Sequence, residues 1–221
     1  LDSVYAMQMM DGIAYGSPII ILGGILPSEQ VMGAVTTDKQ ESGRKLADAI
    51  MEENTPDIPV YVFARTVQYG STGEMYRGLA DCLTENGYTV VLCEKSGADT
   101  YRKVIEGTVY PGNGRAVVAA LDPFSTAEAA EIISKSPVYG NYISGLYGVG
   151  TLPSVLDQMD KGIIRGMIVS NEFEMGYLCV QKAVEAIEKS GKREQIILDS
   201  YYIEREALRD QAYEKILYPI D

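Results

Sequence analysis

The sequence predicts an α/β fold in which parallel sheets flanked by helices form two lobes. Short runs that are apolar at every position alternate with segments of helical periodicity along the chain. Strands without polar alternation are typical of parallel sheets that helices cover on both faces. The strand–helix–strand units repeat about every 25–30 residues, which indicates right-handed crossovers.

The predicted strands and helices follow one another in a regular order. The strand runs are residues 18–22, 31–36, 59–63, 89–92, 116–121, 142–146, 163–169 and 196–198. Apolar residues recur at intervals of three and four in the segments that begin near Leu1, Asp38, Met75, Tyr101, Ala127, Leu152 and Gly176. The pair Asn86-Gly87 and the N-cap candidates Ser71, Asp99 and Thr151 agree with these helices.

The composition excludes several classes of function. The 221 residues include 31 acidic and 19 basic side chains, a formal charge of −12, and no histidine. Without histidine there is no Ser-His-Asp triad and no His-ligated metal, so we expect no enzyme activity and no cofactor. The acidic excess argues against a nucleic-acid partner or an anionic membrane surface.

Two segments are candidates for crossings between the lobes. The proline-rich segment 55–59 follows a predicted helix, and Ser170-Asn171 lies between a strand and a long helix. These positions predict an N-terminal lobe of residues 1–57 and 171–195. The C-terminal lobe then comprises residues 58–170 and 196–221.

Polar residues at the ends of predicted strands are candidates for a ligand site, because parallel sheets bind ligands at their carboxyl edge. Asp122 follows an apolar strand, and Asp38 follows a weaker one. For both, capping of the next helix is an equally good interpretation. The glycine-rich segment Gly145-Leu-Tyr-Gly148-Val-Gly150-Thr151 fits a turn or pocket loop better than a nucleotide phosphate site.

An ordered set of short segments covers nearly the whole chain. It comprises Thr36-Thr-Asp38 with Gly43 and Ala47, Arg77-Gly78-Leu79, Val118-Ala-Ala-Leu-Asp-Pro123, Gly145 with Gly148, and Lys161-Gly162 through Asn171 to Gly176-Tyr177. In this order they resemble type I periplasmic binding proteins, most closely the ribose-binding-like solute receptors of sugar ABC importers. The resemblance implies two α/β lobes that close on a ligand.

The resemblance also implies site residues. Asp38 matches the ligand-binding Asp of the N-terminal lobe and would accept hydrogen bonds from ligand hydroxyls, whereas Ser170, followed by Asn171, falls at the third crossing. Asp122 lies beside a strand-end position of the C-terminal lobe. Tyr147 stands where sugar binders usually have Asp, and Met75 about where they have Arg. We expect Phe124 and Tyr147 to form apolar walls of the site.

The function that follows is binding of a small, sugar-like ligand for delivery to an ABC permease, outside the cytoplasm, as a periplasmic or cell-surface lipoprotein whose signal segment is not part of this sequence. The alternative is the sensing domain of a transcriptional regulator or an extracytoplasmic sensor.

By this resemblance the first lobe is incomplete, because residues 1–14 match the helix after the family's third strand. Residues 19–22 are apolar on both faces and belong in the centre of a sheet. We therefore expect one of three situations: a longer receptor, a unit swapped from another chain, or a homodimer.

Overall fold

The computed structural model describes residues 18–109, 114–188 and 191–218. The strands are β1 (Ile19–Leu22), β2 (Val31–Thr37), β3 (Val60–Ala64), β4 (Val90–Glu94), β5 (Ala116–Ala120), β6 (Ile143–Val149), β7 (Gly166–Ser170), β8 (Glu194–Leu198) and β9 (Ser200–Glu204). The helices are α1 (Lys39–Glu53), α2 (Gly70–Glu85), α3 (Thr100–Val109), α4 (Pro123–Ser134), α5 (Pro137–Tyr142), α6 (Pro153–Asp160), α7 (Glu172–Ile187) and α8 (Glu214–Leu217), with a 3₁₀ helix at Arg205–Arg209. The helix predicted for residues 1–14 lies outside the described residues.

Two separate sheets confirm the predicted α/β fold. The smaller has the strand order β1-β2-β8 and is parallel throughout. The larger has the order β4-β3-β5-β6-β7-β9, and β9 alone runs antiparallel to its neighbour. The two sheets are the centres of the two lobes, because the strands at residues 18–22 and 59–63 do not share a sheet.

The first helix belongs to the larger sheet, which corrects the predicted crossing at residues 55–59. On α1, Leu46, Ala47 and Ile50 are buried in one apolar cluster with Val60 and Val62 of β3. The chain therefore leaves the smaller sheet at Asp38, before the helix. Local periodicity predicts the helix but does not say which of two sheets covers its apolar face.

Helices α1 and α2 pack with their backbones in close contact. A Cβ atom on Gly43 would lie 2.1 Å from Met75 O, and one on Gly78 would lie 2.0 Å from Gln40 O. Both positions therefore exclude every residue except glycine. This contact holds α1 on the larger sheet.

The C-terminal segment that follows residue 195 also divides between the lobes. We expected residues from 196 onward in the C-terminal lobe, but β8 pairs with β2 of the smaller sheet and β9 pairs with β7 of the larger one. The crossing is at Asp199. The order of crossings is thus Asp38, Asn171 and Asp199, so Ser170 precedes the second crossing and not the third.

Helix α7 covers the smaller sheet and packs on β1 and β2. At its side, Lys182 Nζ lies 2.6 Å from Glu194 Oε2 of β8. Among the described helices none is long and apolar enough to cross a membrane.

Candidate functional site

A cavity of about 410 Å³ lies where the carboxyl ends of strands from both sheets meet. This volume is within the range of about 300–1,000 Å³ that small-molecule sites occupy. Its lining comprises Leu22, Gly23, Lys39, Arg65, Ser71, Thr72, Met75, Leu121, Asp122, Pro123, Val149, Gly150, Thr151, Ile168, Ser170, Glu172 and Met175. The smaller sheet and its helix thus face the larger sheet across one space.

Asp122 organises the floor of the cavity and is itself buried. Its Oδ1 accepts hydrogen bonds from the Phe124 and Ser125 backbone N–H groups at 3.1 and 3.0 Å. Its Oδ2 accepts from the Ser125 hydroxyl at 2.7 Å and from the Arg65 backbone N–H at 3.2 Å. The carboxylate therefore caps α4 and holds the backbone at the end of β3. This is the capping role that the sequence offered as one interpretation of Asp122.

Arg65 follows β3 directly and brings a guanidinium group to the cavity. Its Nε lies 3.4 Å from Asp122 Oδ1. Its guanidinium carbon lies 4.7 Å from the centre of the exposed Phe124 ring, a cation–π contact. The carboxylate and the ring together orient Arg65 at the cavity wall.

Lys39, the first residue of α1, is the second cation of the cavity. Burial lowers the pKa of its ammonium group, while the nearby carboxylates of Glu172 and Glu74 oppose that shift. Glu172 begins α7 on the other side of the cavity. The cavity therefore has a cation from the start of α1 opposite a carboxylate from the start of α7.

The end of the glycine-rich segment forms one wall of the cavity: residues 145–149 belong to β6, and only Gly150 and Thr151 lie in the loop that follows it. Thr126 Oγ1 accepts a hydrogen bond from Val149 N–H at 3.0 Å, and a Cβ atom on Gly148 would lie 2.3 Å from Thr126 Cγ2. Gly150 has a φ of +101° and lies against Pro123. Close approach to α4 and left-handed backbone thus explain these glycines without a phosphate ligand.

Three of the predicted site residues line the cavity: Met75, Asp122 and Ser170. Asp38 and Asn171 lie outside the lining and serve as N-caps. Asp38 Oδ1 accepts from Glu41 N–H at 2.8 Å, and Asn171 Oδ1 accepts from Glu174 N–H at 3.0 Å. Phe124 does not line the cavity as an apolar wall: its exposed ring packs on the Arg65 guanidinium, and its N–H donates to Asp122.

The predicted role of Tyr147 as a wall of the site is wrong. Its side chain is fully buried among residues of α1, α2 and the larger sheet. Its hydroxyl donates to Glu53 Oε2 at 2.8 Å and accepts from Asn54 Nδ2 at 3.1 Å, and burial followed by the bond to Glu53 raises its pKa. Successive residues of a strand point to opposite faces, and Tyr147 points to the α1 face.

Sequence reasoning missed most of the polar residues of the cavity, namely Lys39, Arg65, Ser71, Thr72 and Glu172. A usable signal existed for Arg65, Lys39 and Glu172, because each lies within two residues of the carboxyl end of a strand. For Ser71 the sequence predicts only a helix N-cap, whereas the N-cap of α2 is Tyr69 and Ser71 lies in the first turn of the helix.

Comparison with known proteins identifies the family. The family model of the periplasmic binding protein domain matches residues 7–193, most of the chain. The chain therefore belongs to the periplasmic binding protein domain family. Among curated proteins no significant match is found.

Solved structures share the fold at low sequence identity. A carbohydrate transporter solute-binding protein from Agrobacterium radiobacter, in complex with D-arabinose, is 19% identical with a TM-score of 0.82 over 95% of this chain and 74% of its own. A solute-binding protein of an ABC transporter from Agrobacterium vitis, bound to α-D-tagatopyranose, is 17% identical with a TM-score of 0.81 over 97% and 74%. A glucose-galactose binding protein from Geobacillus stearothermophilus is 16% identical with a TM-score of 0.77 over 91% and 71%.

Proposed function

We propose that this protein reversibly binds a small hydroxylated, sugar-like ligand in the cavity between its two sheets, as the solute receptor of an ABC importer. The observation that carries the proposal is the cavity itself, whose lining comes from both lobes. Closure of one lobe on the other would then enclose a ligand that touches both. Two of the similar solved structures are solute-binding proteins of transporters, which favours the receptor over a sensing domain.

The proposed role involves binding without a chemical step, and it places the protein outside the cytoplasm with a permease as its partner. Met75 and Leu121 supply apolar surface for a sugar ring, while Ser71, Thr72 and Ser170 supply hydroxyls. A few convergent polar groups on an apolar lining are typical of a small-molecule site.

Thermal unfolding in the presence of a panel of pentoses, hexoses, polyols and sugar derivatives tests the function. A ligand that binds only the folded state raises the midpoint by mass action. The substitution Ser71→Tyr fills the cavity from the exposed first turn of α2 and is expected to abolish the shift. Ser134→Tyr, on the exposed end of α4 outside the cavity, is the matched control and should keep it. A ligand that shifts both variants equally, or no ligand in the panel, contradicts the proposal.

We propose in addition that two copies of this 221-residue chain associate through α7. The helix exposes Phe173, Tyr177, Val180, Val184 and Ile187, which we call the α7 stripe. Their spacing of four and three residues places them on one face, as in helices that pack against a partner helix. A contiguous apolar face of this kind marks an interaction surface.

Sedimentation velocity of the chain at micromolar concentration tests the association. The expected result is a dimer that Val180→Glu converts to a monomer, whereas the neighbouring Gln181→Glu, outside the stripe, leaves it unchanged. A wild-type monomer with a cooperative melt and no binding of an apolar dye would overturn the proposal.

A further inference from the structure

The cavity offers a ligand fewer acceptors than donors, because one of its two carboxylates already accepts hydrogen bonds from the protein. Asp122 uses both oxygens: four hydrogen bonds come from Arg65, Phe124 and Ser125, and the Arg65 guanidinium lies beside Oδ1. No lone pair of this buried group points to a ligand without breaking a cap. Glu172 is then the one lining carboxylate free to accept from a ligand hydroxyl, within the described residues.

Most N–H donors of the two cavity cations have no hydrogen-bond partner among the described residues. Arg65 directs Nε to Asp122, and its terminal nitrogens form no hydrogen bond with the part of the chain that the structure describes. Lys39 Nζ forms neither a hydrogen bond nor an ion pair with any described residue. Lys39 is partly desolvated, and only the longer-range attraction of Glu172 and Glu74 offsets that cost. Arg65 is 58% exposed and pairs with Asp122 through Nε alone. An anion in the cavity would therefore pair with the ammonium group of Lys39 and with the terminal nitrogens of Arg65.

The N-terminus of α2 adds further donors, beside hydroxyls of Ser71, Thr72, Thr151 and Ser170 that can donate or accept. The N-cap of α2 is Tyr69, whose side chain accepts no hydrogen bond, so the first-turn N–H groups beside Ser71 and Thr72 lack a side-chain acceptor. A neutral sugar needs as many acceptors for its hydroxyl protons as donors for its oxygens. This cavity instead suits a ligand with one group of acceptor-only oxygens.

Resting on the proposed function, we infer that the ligand is a sugar derivative with an acidic group, a carboxylate or a phosphate, held by Lys39 and Arg65 while its hydroxyls reach Glu172. Charge-assisted hydrogen bonds are about twice as strong as neutral ones, and a guanidinium matches both oxyanions. The acidic group therefore supplies the discrimination against neutral sugars of the same shape.

Isothermal titration with matched ligand pairs tests this inference. The probes are galactose against galacturonate, glucose against glucuronate, and glucose against glucose 6-phosphate. We expect the acidic member of at least one pair to bind at least about tenfold more tightly, which corresponds to about 1.4 kcal/mol. A preference confined to the carboxylates identifies a sugar acid, and one confined to the phosphate identifies a sugar phosphate.

Variants separate the cation effect from general damage. Lys39→Gln and Arg65→Gln are each expected to weaken the acidic ligand at least about tenfold and the neutral one less than about twofold, with Arg65→Lys retaining part of the affinity. Lys161→Gln, whose exposed ammonium pairs with Asp157 on α6, is the control and should change neither. Unfolding midpoints measured for all four verify that the variants are folded.

The outcomes are distinguishable. Neutral sugars that bind as tightly as their acidic partners, or acidic ligands whose affinity survives both cation substitutions, overturn this inference and leave the proposed function in place. Absence of binding by both members of every pair, and by the wider neutral panel, overturns the two together.

Discussion

Arg65 and Asp122 are joined by two contacts, one from the backbone and one from the side chain. The Arg65 N–H donates to Asp122 Oδ2 at 3.2 Å, and its Nε lies 3.4 Å from Oδ1. The network continues into the core, because the Ser125 hydroxyl donates to Oδ2 and accepts from the Tyr101 hydroxyl, each at 2.7 Å. The cation at the cavity wall is thus connected to a buried ring that stacks on Phe63.

The substitution Asp122→Asn is expected to lower the free energy of unfolding by about 1–3 kcal/mol. An amide keeps one acceptor for the α4 N-terminus but places an NH₂ group against the Arg65 N–H, so a buried donor loses its partner. Chemical denaturation measures the change. Asp157→Asn, at an exposed pair on α6, is the control, with an expected loss below about 0.5 kcal/mol. Equal losses of unfolding free energy at the two positions would show that the Asp122 network stabilises the fold no more than an exposed ion pair does.

Gly43→Ala is expected to destabilise the protein by at least about 2 kcal/mol, because the added methyl group would meet the α2 backbone and force the helices apart. Thermal and urea unfolding measure the loss. Gly107→Ala on α3, where a Cβ meets nothing within 4 Å, should be neutral or stabilise the protein by up to about 1 kcal/mol through helix propensity. A stable Gly43→Ala variant would mean that α1 and α2 pack differently.

Tyr147→Phe is expected to cost about 1 kcal/mol of stability, since it removes the buried hydroxyl that contacts Glu53 and Asn54. Ligand affinity should be unchanged, because the ring lies in the core on the α1 face of the larger sheet. Tyr177→Phe, at a ring that is 64% exposed, should change stability by less than about 0.5 kcal/mol. A large loss of affinity in Tyr147→Phe would return this residue to the binding site.

Stability should fall between pH 10 and 12 in part through Tyr101. Burial raises the pKa of its hydroxyl from 10.0 to about 12, so the unfolded chain loses this proton first as the pH rises. The stabilising effect is complete below pH 10 and is lost as the pH passes the folded-state pKa, in total about 2–3 kcal/mol. Denaturation at successive pH values should give a shallower decline for Tyr101→Phe than for the wild type. Parallel curves would contradict the assignment.

The elements themselves were predictable where the pattern is local. The runs at residues 59–63 and 116–121 are apolar at every position, and they are the adjacent buried strands β3 and β5. Gly150 follows a strand and lies against the start of a helix, with a positive φ. It lies in the loop at the cavity, as the glycine-rich pattern predicts. Composition and periodicity carry this information because each strand or helix buries its own face.

The site was less predictable, and the failures have a common cause. Asp38 and Asn171 stand at strand ends as a ligand group would, yet both side chains turn back to cap their own helices. Tyr147 lies on the opposite face of its strand from the cavity. A shift of one residue in register reverses the face to which a side chain at a strand end points. The spacing of residues along the chain does not reveal that register.

By itself the sequence determined that this protein is an acidic α/β chain without histidine, built from parallel strands with helices between them, and that its strand ends carry the polar groups. Only the tertiary structure decided that α1 packs on the larger sheet, that β8 and β9 separate at Asp199, and that Lys39, Arg65 and Glu172 face one cavity. The physical reason is that periodicity records which face of an element is buried, whereas the partner that buries it is chosen by long-range packing such as the contact of Gly43 with the backbone of Met75.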